Sequence, residues 1–63
     1  MKTIYTLVIK RTDRWIPEFS SYNKDKVYHF RDEYEGYASV ILQTGDASDD
    51  IDNAIDILNL KWG

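Results

Sequence analysis

Five aspartates, Asp46, Asp49, Asp50, Asp52 and Asp56, fall within eleven residues of the stretch TGDASDDIDNAIDILNL (Thr44–Leu60). Carboxylates at this density suit three kinds of chemistry: a calcium loop, a mimic of a nucleic-acid backbone, or the charged front of a helix. An EF-hand loop needs alternating oxygen ligands, glycine at its sixth position and glutamate at its twelfth. Counted from Asp46, those positions hold Ile51 and Ile57, so no metal is expected here. A backbone mimic presents carboxylates at phosphate-like spacing along an extended surface. The exposed acids, even with Asp32, Glu33 and Glu35 added, make a patch rather than a stripe. The helix reading accounts for more of them. Asp46 or Ser48 suits an N-cap, and Asp49 and Asp50 then lie in the first turn, where the helix dipole favours negative charge.

Catalytic constellations are sparse. His29 is the single histidine, and a general base needs a positioned partner that the sequence does not assign. Asp32 and Glu33 are neighbours, so on a helix they point about 100° apart and form no carboxylate dyad. The glycines, at 36, 45 and 63, make no phosphate loop, and the chain has no cysteine for a thiolate metal site, a nucleophile or a disulfide. A non-enzyme without cofactor is expected. Lys10, Arg11, Arg14 and Trp15 cluster where a hairpin is expected and offer a nucleic-acid contact. With eight basic residues in the whole chain, against eleven acids, that contact is weak, and solubilising charge at a turn is the simpler account.

The elements that must position these residues can be read from periodicity. TIYTLVIKR (Thr3–Arg11) is β-branched and aromatic, with Tyr5, Leu7 and Ile9 on one face and Ile4, Thr6 and Val8 on the other. Two apolar faces mark a central strand covered on one side and partly on the other. Thr12-Asp13-Arg14 forms a tight turn, and WIPEF (Trp15–Phe19) returns as a second strand. Pro17 places that strand at an edge or on a bulge. Ser20 to Asn23 form a loop and helix cap. From Lys24 to Glu35, Val27, Phe30, Tyr34 and then Tyr37 follow helical spacing, ended by Gly36. An alternating strand over residues 26–31 competes with that helix. Tyr37–Thr44 reads as the third strand. Ala47, Ile51, Ala54, Ile55 and Leu58 line one face of a final helix, joined by Trp62 if the helix continues, with Asp49, Asp52 and Asp56 opposite. The expected fold is one α+β domain over residues 1–63, ordered β-β-α-β-α. Its three-stranded, mainly antiparallel sheet carries both helices on one face, and Leu7, Ile9, Ile51, Ile55 and Leu58 form a common core.

Sixty-three residues are near the lower limit for a single core. No apolar run approaches the roughly 18 residues of a membrane span. The opening MKTIYTLVIKR is interrupted by Tyr5, Thr6 and Lys10, so a buried strand is expected rather than a signal peptide. The net charge of −3 is unevenly spread: residues 1–31 carry seven Lys/Arg against three acids, and residues 32–63 carry Lys61 alone against eight acids. Such polarity serves complementary surfaces within the fold, or an acidic face that steers a basic partner. Five tyrosines and two tryptophans exceed what so small a core can bury whole. Several rings should therefore reach the surface, where Tyr and Trp carry interfaces.

The order of features resembles small proteins of tailed bacteriophages that have no assigned mechanism. The resemblance rests on Tyr5-Thr6-Leu7-Val8-Ile9, on the Trp-x-Pro-x-Phe segment Trp15–Phe19, on the acidic helix, and on Thr44–Asp52 with Leu58-Asn59. It implies a phage protein in the bacterial cytoplasm that binds a host protein, to block defence or redirect transcription. The partner-binding residues expected are Asp49, Asp52, Asp56, Ile57, Tyr34 and Tyr37. A monomer is expected, with a homodimer through Ile57 and Leu60 as the alternative. The second functional reading is a nucleic-acid role, as a weak DNA mimic or through the basic hairpin.

Overall fold

The computed structural model describes residues 2–62, without the side chain of Trp62, so the place expected for that ring on the core face lies outside the described residues. The β-branched run forms strand β1 (Thr3–Arg11), and the chain reverses through Thr12-Asp13 into β2 (Arg14–Ser21). Helix α1 (Lys24–Arg31) follows, extended by a 3-10 turn (Asp32–Tyr34). Strand β3 (Ser39–Gly45) and helix α2 (Ser48–Trp62) complete the domain. The strand order is β2-β1-β3 with both ladders antiparallel, giving a three-stranded α+β domain with β1 at its centre.

Local chemistry explains most boundaries. Pro17 lies on the edge strand, and the register slips beside it: Leu7 faces Phe19 while Val8 faces Pro17, so Glu18 is the bulged residue. The α1 cap is Asn23, whose Oδ1 accepts from the Asp25 N–H at 3.0 Å. Residues 26–31 are helical, which settles the strand alternative. Gly36 takes φ +96°, a conformation that lets the chain leave the helix and turn toward β3. At α2 neither Asp46 nor Ser48 is the cap. The Ala47 carbonyl accepts from the N–H groups of Asp50 and Ile51, at 3.0 and 3.4 Å, and the Asp46 carboxylate instead accepts from the Tyr22 hydroxyl at 3.3 Å.

The helices lie on opposite faces of the sheet, not on one. Leu7, Ile9 and Val27 form a buried cluster with Tyr5, Phe19, Phe30, Tyr34 and Ile41 around it. Val8, Trp15 and Leu58 form a second, with Val40, Leu42 and Ile55. Side chains alternate across a strand, so Leu7 and Ile9 meet α1 while Thr6 and Val8 point to the other face, where Val8 packs with Leu58 of α2. All four are fully buried. The reason is topological. Both β2 and β3 are antiparallel to β1 and hence parallel to each other, so α1 must carry the chain back across one face. The other face, equally apolar, remains for α2. The common core of Leu7, Ile9, Ile51, Ile55 and Leu58 is therefore divided: Leu7 and Ile9 pack under α1, while Leu58 and Ile55, on α2, pack with Val8 at the other face.

Candidate partner-binding surface

Helix α2 presents two unlike sides. Leu58 is buried, and Ile51, Ala54 and Ile55 are half-buried against the sheet. Opposite them Asp49, Asp52, Asn53 and Asp56 are exposed. At 100° per residue, Leu60 falls in line with Asp49 and Asp56, and Ile57 sits one residue-width away. Leu60 is 86% exposed and Ile57 53%. The helix runs through these residues without a break, which keeps Leu60 on this outer face. An acidic surface thus continues into an apolar spot on the same helix face.

Asn59 holds this helix to the sheet. Its Oδ1 accepts from the Trp15 N–H at 2.8 Å and its Nδ2 donates to the Trp15 carbonyl at 3.3 Å. One side-chain amide thereby satisfies both backbone groups of an edge-strand residue, as a neighbouring strand would. Nothing in the periodicity of the helix singled out Asn59. The available signal was a lone amide at the boundary between the apolar and acidic faces.

The two tyrosines expected at the same surface are elsewhere. Phe19 stacks on Phe30 with centroids 4.6 Å apart, Phe30 meets Tyr34 at 5.7 Å, and Tyr34 meets Tyr37 edge-on at 6.2 Å. This aromatic row belongs to the α1 face of the sheet. Tyr34 is half-buried in it, and Tyr37, 51% exposed, ends it beneath the Arg11 guanidinium, 5.6 Å from the ring centroid. Tyr34 and Tyr37 line an open cleft with Asp32, Glu35, Arg31 and Ser39. The sheet separates them from Asp49, Asp52, Asp56 and Ile57. The six residues expected to bind together form two surfaces.

The basic hairpin is occupied by internal contacts. The Arg11 Nε donates to Glu18 Oε1 at 2.6 Å, and that hydrogen bond, with the charge of Glu18, raises the guanidinium pKa further above its ordinary value. Lys10 lies over the Trp15 ring at 5.6 Å, and Trp15 itself is 8% exposed, so its ring offers no stacking platform to a base. Among the described residues, no group of His, Asp and Glu side chains could hold a metal ion, and no helix is long and apolar enough to cross a membrane. No family model, curated protein or solved structure matches the chain.

Proposed function

We propose that this chain is a small non-enzymatic binding module that docks on a protein through the outer face of α2. One observation supports this above others: exposed Ile57 and Leu60 continue the acidic face formed by Asp49, Asp52 and Asp56. The carboxylates steer a basic partner and set its on-rate, and the apolar pair supplies area to be desolvated. With the resemblance to phage proteins, the same reading makes the chain a phage-encoded inhibitor or modulator of a host defence or transcription protein, working in the bacterial cytoplasm. A nucleic-acid role has less support, since Trp15 is buried and Arg11 is paired with Glu18.

The test is affinity capture from bacterial lysate at two salt concentrations. It compares the parent with Asp49→Asn/Asp52→Asn/Asp56→Asn and with Ile57→Ser. A stoichiometric protein that is lost at high salt, and lost from both variants, supports the reading. Enrichment of DNA or RNA by the parent supports the nucleic-acid role instead. A partner retained equally by both variants places the contact away from α2.

A further inference from the structure

We propose that the free edge of β3 is a second docking site, which takes an extended segment of a partner protein with lysine or arginine at both ends. The two edges of the sheet differ. Lys10 N–H donates to the Ala38 carbonyl at 2.9 Å, which identifies the hydrogen-bonded pairs of the β1–β3 ladder as Lys10/Ala38, Val8/Val40, Thr6/Leu42 and Ile4/Thr44. The backbone N–H and C=O groups of Ser39, Ile41 and Gln43 therefore point outward. On β2 the outward residues are Trp15, Pro17 and, past the bulge, Ser20 alone. Trp15 is closed by the Asn59 amide, Pro17 has no donor, and Glu18 makes a bulge. Those three devices prevent strand addition at β2. Between Ser39 and Gly45 there is no proline, no charge and no bulge. Val40, Ile41 and Leu42 are only half-buried, so apolar surface flanks the open backbone on both faces.

Charge selects the occupant. From Asp32 to Leu60 the chain has no lysine or arginine, and it has eight acids. Asp32 and Glu35 share a cleft with Arg31 and Ser39 at one end of β3, which leaves that cleft one net negative charge, and Asp49 and Asp50 open α2 just beyond the other. A second copy would bring two such segments together, like charge against like. An antiparallel strand with basic ends instead adds backbone hydrogen bonds along the uncharged centre and meets carboxylates at both ends. This site does not depend on the outer face of α2.

The probe is a short synthetic peptide of alternating valine and threonine with paired lysines at both ends. Amide hydrogen exchange of the intact protein is followed by NMR. Bound peptide is expected to slow exchange about tenfold or more at Ile41 and Gln43, with little change at Val40 and Leu42, and to do so less at high salt. A peptide with glutamates at its ends, or one N-methylated at the amides facing β3, is expected to have no effect. Gln43→Pro removes an outward N–H without breaking the ladder to β1, so it should abolish the protection. If that variant does not fold, the N-methylated peptide on the parent decides. Protection that survives N-methylation, or that falls on α2 amides alone, overturns the proposal. So does protection at Ile41 and Gln43 that grows with protein concentration in the absence of peptide, which assigns the edge to a second copy.

Discussion

Two residues test the fold without touching either proposed surface. Asn59 supplies both hydrogen bonds that seal the Trp15 backbone at the β2 edge. Asn59→Ala leaves a part-buried N–H and C=O unpaired, and a loss of about 1–3 kcal/mol is expected in urea denaturation. A midpoint equal to that of the parent would mean that water replaces the amide at no cost. Thr12 is the opposite case. It takes φ 57°, in the left-handed region that a β-branched residue rarely enters. Asp13 is not at positive φ, so this two-residue turn is the kind that takes glycine at its first position. Thr12→Gly should stabilise the protein by about 1 kcal/mol, at an unchanged urea m-value. A destabilised Thr12→Gly would show that the threonine does more than turn the chain.

Among the elements, α2 carries the most. Its inner face completes half of the core, so Leu58→Ala should cost about 2–4 kcal/mol, a large share of the stability of so small a domain. Ile55 lies in the same cluster but is half-buried, and Ile55→Ala should cost clearly less than Leu58→Ala. The reverse order, measured by thermal or urea melting, would mean that the helix is rotated about its axis. The outer face should be energetically quiet. Replacing Asp49, Asp52 and Asp56 by asparagine removes favourable charge only from the first turn, at Asp49, for about 0.3–1 kcal/mol. Strand β1 needs no cap or staple of its own, because it is paired on both edges and covered on both faces.

For the whole molecule, the division of charge along the chain predicts its association state. The half from Asp32 onward has Lys61 as its one basic residue, and it contains both the outer face of α2 and the open edge of β3. Self-association through either surface would concentrate negative charge. A monomer at micromolar concentration is therefore expected from sedimentation velocity, for the parent and for Ile57→Ser alike. A parent dimer that dissociates in Ile57→Ser would make α2 a homodimer contact instead. Because salt screens this repulsion, the monomer is most favoured at low salt, and any self-association should show first at high salt.

Much of this architecture is legible in the residues, because short-range rules decide it. The alternation of β1, the proline and bulge of β2, the stripe from Val27 to Tyr34, the turn at Gly36 and the inner face of α2 each follow from a local period or a single backbone preference. The distribution of the acids is equally local: they open a helix and then occupy its outer face. What the sequence left open is decided by contacts far apart in the chain. That the two apolar faces of β1 are covered by different helices depends on how the chain crosses the sheet. Local periodicity says which face of a helix is apolar, and not which layer it meets. The same limit separates Tyr34 and Tyr37 from the acidic helix, since shared surface chemistry carries no information about which side of the sheet a residue occupies. Asn59 is the plainest instance. Its amide seals Trp15, 44 residues earlier in the chain, and only the tertiary fold brings that backbone within reach.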